Sequence, residues 1–280
     1  MKLHPWMHPE HLAPGDKKSL SGDWADIELH VVEGRNDPLF DVAYGALWQE
    51  FGSSGEMERA EVLGRRMQRN PLVFEHGAAL KYCLVLLRHH DEIVAVRDHT
   101  VILHEVEAGA VVHLSHNLTT PAWRRSGITG WMRALPVSMA YDFLKEHGRP
   151  ADSPVTLIGE MEHLDSSNPA TWVRLTAYEK AGFKMVNPKV VHYLQPDFRD
   201  PSVIDASGGP SPVPFCLMLR RVGRENDGRI AVKEIIRDVR ALYKMYGMEF
   251  RPQDMQVVYD SLTAYPPEHD LIDLIPPTST

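Results

Sequence analysis

The amino-acid sequence predicts an α/β (α+β) fold that ends in a C-terminal helical extension. Three patterns lead to this prediction. Apolar residues alternate with polar ones at Ile27, Leu29 and Val31, as in a strand; two apolar runs flank the polar turn His89-His90-Asp91; and apolar residues recur at helical spacing over 128–147. Strand-like and helix-like segments interleaved along one chain predict a sheet with helices packed on its faces.

The first half of the chain is predicted to form a strand, two helices and three more strands. Asp37-Pro38 is typical of an N-cap and first helical position, and it indicates a helix near 38–51. A second helix is expected from Met57 to Met67, before Asn70-Pro71. The three strands are expected at 79–87, 93–104 and 110–118, the first two as a hairpin.

The second half is predicted to continue with a helix over 128–147, which Pro136 kinks because it lacks an N–H. A strand over 155–161, a helix over 169–181 and strands over 184–194 and 215–222 follow. The connection between the last two strands, Gln195 to Pro214, is rich in proline and glycine. It is either a lid over a substrate site or a surface insertion without fixed structure.

Beyond residue 228, apolar residues at helical spacing from Ile235 to Tyr246 predict one helix, and Pro252 opens a second. These helices either cover the core or form an oligomer interface, such as that of a homodimer. The expected organisation is a flexible tail over 1–20, one domain over 21–224 and a helical extension over 225–280. With 280 residues, of which 43% are hydrophobic, the chain can bury a full core.

The amino-acid composition indicates which binding partners and which cellular location to expect for this protein. The net charge of −8 argues against a nucleic-acid partner, which usually requires a basic surface; it is compatible with a cationic substrate and equally with simple solubility. No apolar run approaches membrane-spanning length and no leader-type segment is visible, so we expect no membrane association and a cytoplasmic location. Cys83 and Cys216 are expected to be buried, reduced thiols.

Metal chemistry is not expected, despite fifteen histidines. His4, His8 and His11 fall in the predicted tail, and His89-His90 fall in a turn. The sequence has no H-E-x-x-H motif and no paired cysteines of the kind that bind zinc.

The segment from Thr119 to Gly130 carries a pattern suited to an anion. A strand-like run meets Pro121, a turn with two arginines follows, and a helical pattern begins at Ile128. Backbone N–H groups at a helix N-terminus favour a phosphate, Gly127 allows the main chain to approach closely, and Arg124 or Arg125 can add charge-assisted hydrogen bonds. The alternative is an ordinary turn and helix cap that binds no anion.

This segment resembles the coenzyme A pyrophosphate loop of the GCN5-related N-acetyltransferase (GNAT) superfamily, and Ala177–Phe183 resembles that family's signature helix ending. The loop pattern is Arg or Gln, two variable residues, Gly, one variable residue, then Gly or Ala. Arg124 and Gly127 match it, whereas Thr129 departs from it. The resemblance covers about residues 24–222 and implies a mixed, mostly antiparallel central sheet flanked by helices.

The resemblance also implies which residues bind acetyl coenzyme A, the expected co-substrate. Backbone N–H groups at 125–130 would hold the pyrophosphate. The expected cofactor-binding residues are Leu118, Thr119, Arg124, Arg125, Ser126, Gly127, Ile128, Thr129, Gly130 and Asn168. Thr171 occupies the position where the family commonly has asparagine, and a plain helix N-cap is the alternative role of Asn168. The family further has a bulge that splays two parallel strands before this loop, which the sequence does not locate.

Tyr178 matches the family tyrosine that often donates a proton to the coenzyme A sulfur, although a core tyrosine is the alternative. An amine acceptor must also lose a proton, and the candidate bases are His113, His116, Glu160, Glu162 and His163. Some family members have a glutamate base on the strand before the loop, where this chain has histidines. Glu160 and Glu162 alternate on the next strand, so both should face one side, where a close pair would raise one pKa.

The resemblance therefore predicts an N-acetyltransferase that moves an acetyl group from acetyl coenzyme A to an amine by direct attack. The acceptor would be a small-molecule or peptide amine. Two alternatives remain open at this point. One is a non-catalytic, regulatory protein that binds acyl coenzyme A, and the other is an acyltransferase with a longer acyl donor.

Overall fold

The computed structural model describes residues 4–52, 57–165 and 167–279. The strands of this part of the chain are β1 Ile27–Val32, β2 Ala78–His89, β3 Glu92–His104, β4 Ala110–Thr119, β5 Val155–Met161, β6 Lys184–Val186, β7 Tyr193–Gln195, β8 Val213–Arg221, β9 Arg229–Ala231 and β10 Leu271–Ile275. Its α-helices are α1 Phe40–Phe51, α2 Ala60–Gln68, α3 Ile128–Glu146, α4 Pro169–Lys180, α5 Pro201–Ala206, α6 Val232–Gly247 and α7 Pro252–Ser261.

The strands form one mixed sheet in the order β1-β2-β3-β4-β5-β8-β6-β10-β9, and β7 pairs with β8 outside this order. Neighbouring strands are antiparallel except β4 and β5, which are parallel and are connected through α3. The predicted fold class, a mixed and mostly antiparallel sheet flanked by helices, is confirmed. The parallel pair lies in the middle of the sheet.

Helices cover both faces of the sheet, as the alternation of apolar residues requires. Val101, Val112 and Leu157 point to one face and pack with α3, and we call this the α3/α4 face. Leu80, Ile102 and Ile158 point to the opposite face and pack with α6, and we call this the α6 face. Helices α1 and α2 cover the β1 end of the α6 face.

Some element boundaries differ from those predicted. Helix α1 begins at Phe40, two residues later than expected, because Asp37 accepts the N–H of Leu39 with its carboxylate and that of Phe40 with its carbonyl. The single strand expected over 184–194 is wrong: residues 187–192 separate β6 from β7. The connection from Gln195 to Pro214 contains α5, and β9 and β10 were not predicted.

Helix α3 continues through Pro136, where a kink was expected. Proline has no N–H to donate to the carbonyl of Met132, four residues earlier. Nη1 of Arg97, on β3, donates to this carbonyl instead, at 3.3 Å. Burial lowers the pKa of Arg97 to about 10, so the guanidinium stays charged at neutral pH.

Residues 4–21 pack on the body of the protein, which differs from the expected flexible tail. The hydroxyl of Ser19 donates to the carbonyl of Gly127 at 2.6 Å, and the indole of Trp131 donates to the carbonyl of Ser19 at 3.1 Å. Asp16 pairs with Arg133. The N-terminal segment therefore lies along the first turns of α3.

The C-terminal segment is also part of the main body. Helix α6 contributes Ile235, Val239 and Leu242 to the core of the α6 face, and β10 pairs with β6. Helix α6 therefore covers the core, one of its two expected roles. Cys83 and Cys216 are free and buried, as predicted. Within the described ranges, no helix is long and apolar enough to cross a membrane.

Gly15→Ala is expected to loosen the N-terminal segment. A Cβ at this position would lie 1.8 Å from the carbonyl oxygen of Lys180, at the end of α4. We expect the free energy of unfolding in urea to fall by about 1–3 kcal/mol, with faster tryptic cleavage after Lys17 and Lys18. Gly34→Ala is the control, because no atom lies within 4 Å of its new Cβ. Equal stability of the two variants would contradict the packing.

Candidate active site

A β-bulge interrupts β4 near the middle of the sheet. Arg97 of β3 pairs with Asn117, but His99 pairs with Leu114, so one residue of β3 faces two residues of β4. The two bulged residues are Ser115 and His116. A bulge of this kind bends its strand and leaves ladder groups unpaired.

Asp98, the residue opposite the bulge, satisfies these groups. Its Oδ1 accepts the backbone N–H of His116 at 2.8 Å and contacts Nδ1 of the same residue at 2.9 Å. Its Oδ2 accepts the hydroxyl of Tyr82 at 2.9 Å. Burial raises the pKa of Asp98, but these partners outweigh it and hold that pKa at about 2. The carboxylate is therefore ionised at neutral pH and fixes the bulge.

The bulge marks the point where β4 and β5 separate. Their parallel pairing ends at Leu114 and Gly159, although both strands continue. A pocket of about 370 Å³ lies there, with lining residues from both faces of the sheet. The lining comprises Glu50, Phe51, Glu58, His113, Leu114, Ser115, His116, Asn117, Thr129, Arg133, Glu160, Met161, Glu162, Arg174, Ala177, Tyr178, Gln195, Phe198, Phe215 and Tyr246.

On the α6 face, the carboxylate of Glu160 is surrounded by donors. Its Oε2 accepts the hydroxyl of Tyr246 at 2.6 Å and contacts Nε2 of His113 at 2.7 Å. Its Oε1 accepts the hydroxyl of Tyr193, and Gln195 contributes a longer contact of 3.4 Å. Burial raises the pKa of Glu160, but His113 and then the two tyrosines outweigh it, so the pKa lies below its ordinary value.

The sequence expectation of a close Glu160/Glu162 pair with one raised pKa is wrong for Glu160. Because β5 ends at Met161, strand alternation does not extend to Glu162. Glu162 instead pairs with Arg174 and accepts the hydroxyl of Thr171 at 3.4 Å, both on α4. The two carboxylates line the same pocket but are bound to opposite sides of it.

Tyr178 lies on the α3/α4 face, at the point where the strands separate. Its ring is 4.0 Å from the position that a Cβ on Gly159 would take, and it meets the ring of Phe183 edge-on at 4.9 Å. Tyr178 lines the pocket from α4, while Glu160 and His113 line it from the other face. The sheet therefore separates the predicted acid, Tyr178, from the predicted bases His113 and Glu160, and the gap between β4 and β5 connects them.

The other two candidate bases have different surroundings. His116 lines the pocket, where it is bound to Asp98. His163 is exposed, and its Nδ1 lies 3.2 Å from Sγ of Cys216. His163 does not line the pocket, so the structure does not bring it together with Tyr178.

The turn before α3 has a left-handed backbone at two residues. Arg125 and Gly127 have φ values of 67° and 105°. The N–H of Ile128 is bonded to Ser126 Oγ at 3.1 Å, and that of Gly130 to the Gly127 carbonyl at 3.1 Å. Among the residues that the structure describes, the N–H groups of 125, 127 and 129 have no acceptor. They are available to an anion.

Gly127 was expected to let the main chain approach a bound ligand, but in the structure it lets the main chain approach the N-terminal segment. A Cβ there would lie 3.2 Å from Cα of Ser19, so its close approach serves the N-terminal segment. Lys18 adds a hydrogen bond to the carbonyl of Arg125, at 2.8 Å. The hydrogen bonds from Lys18 and Ser19 are thus made to carbonyl groups of the turn, and the N–H groups of 125, 127 and 129 are left unbonded.

The remaining predicted cofactor-binding residues lie around this turn or near α4. The hydroxyls of Thr119 and Thr129 are 3.2 Å apart, and Nε of Arg124 donates to the carbonyl of Thr119. Leu118 packs with the α1 cluster on the α6 face. Asn168 caps α4 by accepting the N–H of Ala170 at 3.0 Å, which confirms its alternative role.

Sequence reasoning missed Ser115, Tyr193 and Tyr246. Tyr246 had been assigned to a helix that covers the core, and Tyr193 to a strand, without any chemistry. They are separated from Glu160 by 86 and 33 residues, so no local pattern connects them to it. Across the described ranges, no cluster of three or more His, Cys, Asp or Glu residues could hold a metal ion.

Tyr246→Phe is expected to raise the pKa of Glu160 toward its ordinary 4.5, because one donor to the carboxylate is lost. A carboxyl group whose pKa is lower in the folded state stabilises the fold, and the full effect is present at pH values above its ordinary pKa. This stabilisation is lost as the pH falls through the pKa of the folded state. The free energy of unfolding of the variant should be about 1.5–3 kcal/mol lower at neutral pH, and it should change less between neutral and acidic pH.

Urea unfolding at neutral and acidic pH, with a ¹³C NMR titration of glutamate carboxyls, measures both effects. Tyr259→Phe is the matched control, since that hydroxyl donates to the neutral carbonyl of Tyr243 at 3.0 Å. An unchanged Glu160 titration in Tyr246→Phe would contradict the assignment.

No protein-family model matches the chain, and no curated protein sequence is significantly similar to it. Among solved structures, an aminoglycoside acetyltransferase from an uncultured soil metagenomic sample, crystallised with trehalose, is 11% identical; the match covers 55% of this chain and 89% of that chain, with a TM-score of 0.35. A tandem GNAT protein from the clavulanic acid biosynthesis pathway is 17% identical, over 85% of this chain and 64% of that chain, with a TM-score of 0.35. A GNAT from Sphaerobacter thermophilus is 20% identical, over 58% and 44%, with a TM-score of 0.32. The chain thus resembles GNAT proteins, but only distantly.

Proposed function

We propose that this protein is an N-acetyltransferase that moves an acetyl group from acetyl coenzyme A to a small amine by direct attack. The observation that carries this proposal is the pocket between β4 and β5. Tyr178 lines it from the α3/α4 face, and Glu160 with His113 lines it from the α6 face. A thioester in the gap would have a proton donor on one side and a proton acceptor on the other.

Donor binding is proposed for the α3/α4 face. The three unbonded N–H groups of the turn at 125–129 suit a pyrophosphate, and Arg124 and Arg125 are exposed beside them. Thr129 and Arg133 extend this surface into the pocket. Coenzyme A bound in this way would enter the gap with its sulfur near Tyr178.

Acceptor binding is proposed for the α6 face. Aromatic rings of Phe51 and Phe198 line the pocket there, and the carboxylates of Glu50 and Glu58 are also part of its lining. Glu58 is already paired with Arg66, so the apolar rings together with the carboxylate of Glu50 favour an amine with a compact apolar body. Phe198 belongs to the connection between β7 and β8, which supports the lid interpretation of this segment.

The reaction would proceed by attack of the neutral amine nitrogen on the thioester carbonyl carbon. The C–N bond forms and the C–S bond breaks, and the phenol of Tyr178 protonates the departing thiolate. The proton lost by the amine passes to the group formed by His113 and Glu160. Glu162, held by Arg174, shapes the rim of the pocket in this proposal.

Arg125→Glu should weaken binding of acetyl coenzyme A about tenfold or more, because it replaces a cation beside the turn by an anion. Isothermal titration calorimetry measures the dissociation constant. Arg240→Glu, an exposed site on α6, makes the same change in net charge away from the turn and should bind like the wild type. Gly127→Glu is unsuitable, since it would collide with Ser19. No binding by the wild type would contradict the use of acetyl coenzyme A.

Tyr178→Phe should lower kcat about 10²-fold and leave the dissociation constant of acetyl coenzyme A unchanged, because only the transferable proton is removed. Thiol release with a panel of small amines measures the rate. Tyr141→Phe, on α3 outside the pocket, is the control. An unchanged rate in Tyr178→Phe would assign the proton to another group. Tight binding without turnover of any amine would favour the non-catalytic alternative.

A further inference from the structure

We propose that Ser115, His113 and Glu160 form a proton relay, in which the hydroxyl of Ser115 takes the proton of the attacking amine and passes one to His113. This inference rests on the proposed function and specifies the route of its proton. It assigns a catalytic role to Ser115, a residue that no sequence motif indicated. The three groups are contiguous: Ser115 Oγ lies 3.2 Å from Nδ1 of His113, and Nε2 of His113 lies 2.7 Å from Glu160.

The surrounding acceptors determine where the imidazole carries its proton. Nε2 of His113 faces the carboxylate of Glu160 and, at 3.3 Å, the hydroxyl oxygen of Tyr246. Tyr246 gives its own proton to Glu160, and burial raises the pKa of Tyr246 far above its ordinary value, so the oxygen facing His113 can only accept. Nε2 must therefore carry the hydrogen. Nδ1 is left with a lone pair directed at the hydroxyl of Ser115.

The low solvent exposure of His113 and Glu160 explains why a relay is needed to carry a proton from the amine to them. The side chains of His113 and Glu160 are each only 5% exposed, so an amine in the pocket has little access to them. Ser115 is half-buried and lines the pocket from the bulge. Because the bulge lies where β4 leaves β5, the hydroxyl of Ser115 is at the entrance to the gap that would hold the thioester. An amine nitrogen would reach Ser115 before it reached His113.

The step balances in protons and bonds. As the C–N bond forms, the amine proton moves to Ser115 Oγ, and the hydroxyl proton of Ser115 moves to Nδ1 of His113. The resulting imidazolium is stabilised by the ionised Glu160, and the thiolate released by C–S cleavage takes the proton of Tyr178. The imidazolium then returns a proton through solvent to the Tyr178 phenolate. The net reaction is amine plus thioester to amide plus thiol.

Several groups besides Glu160 face His113 and affect any pH profile of the reaction. Tyr246 approaches from α6, and Tyr193 approaches Glu160 from β7. His99 lies within electrostatic range on β3, and burial lowers the pKa of His99 to about 3, so it is neutral above acid pH. Within this group, Glu160 is the anion that can hold the imidazolium.

The kinetic test uses two probe amines of nearly equal size. Ethylamine is cationic at neutral pH and 2,2,2-trifluoroethylamine is already neutral, but each nitrogen must lose a proton as the C–N bond forms. Ser115→Ala should therefore lower kcat about 10²-fold for both amines, with an unchanged dissociation constant for acetyl coenzyme A. Ser153→Ala removes another buried hydroxyl, outside the pocket, and should have no effect. A loss for ethylamine alone would assign Ser115 to deprotonation of the ammonium before attack, and this outcome or no loss for either amine would overturn the relay.

A second measurement does not depend on acetyl transfer. In ¹⁵N-histidine NMR, with His113→Gln to assign the signal, the ring should carry hydrogen on Nε2 alone, and Ser115→Ala should shift only the Nδ1 resonance. A hydrogen on Nδ1 of the neutral ring would overturn the relay even if both amines are acetylated. Conversely, the expected tautomer without turnover of either amine would support the relay geometry and count against the proposed function. Mass-spectrometric detection of acetyl-Ser115 after acetyl coenzyme A alone would make Ser115 a nucleophile and overturn the relay.

Discussion

The site depends on one buried carboxylate, that of Asp98. Burial of an ion without partners is costly, but Asp98 receives two donors from His116 and one from Tyr82. These bonds replace the ladder contact that the bulge removes. If Asp98 did not accept the N–H of His116, the bulge would leave a polar backbone group unpaired within the sheet. The separation of β4 from β5, and hence the pocket, follows from this contact.

The proposed acyl transfer needs an acid and a base close together without mutual neutralisation, and separation of the strands would provide this arrangement. Tyr178 and Glu160 project from opposite faces of the same sheet, and only the gap after Gly159 joins them. The groups around Glu160 on one face of the sheet can then differ in charge and polarity from those around Tyr178 on the other face. Three donors, His113, Tyr193 and Tyr246, hold the pKa of Glu160 below its ordinary value, while Tyr178 packs against the apolar ring of Phe183. The fold itself therefore prevents the two groups from meeting directly.

Sequence patterns correctly predicted features that depend on neighbouring residues. They did not predict features that depend on contacts between residues far apart in the sequence. The bounds of β5 and the start of α3 at Ile128 were correct because strand alternation and helical spacing are properties of neighbouring residues. The bulge could not be located, since it is stabilised from another strand by Asp98. Likewise, Pro136 predicted a kink that α3 does not need, because the compensating donor, Arg97, is 35 residues away from the carbonyl it satisfies. Chemistry assigned to Tyr178 came from a motif, whereas Tyr246 belonged to none.

The two terminal segments of the chain each contact a different half of the site. The N-terminal segment binds the carbonyls of Arg125 and Gly127 and makes no hydrogen bond to the free N–H groups of 125, 127 and 129. Helix α6 supplies Tyr246 to Glu160. Without the hydroxyl of Tyr246, Glu160 would keep His113 and Tyr193 as partners but lose a buried, short hydrogen bond, and the pKa of its carboxylate would rise. The acidity of this carboxylate therefore depends on a residue that lies 86 positions away along the chain, in addition to His113 and Tyr193, so the chemistry of the site cannot be inferred from β4 and β5 alone.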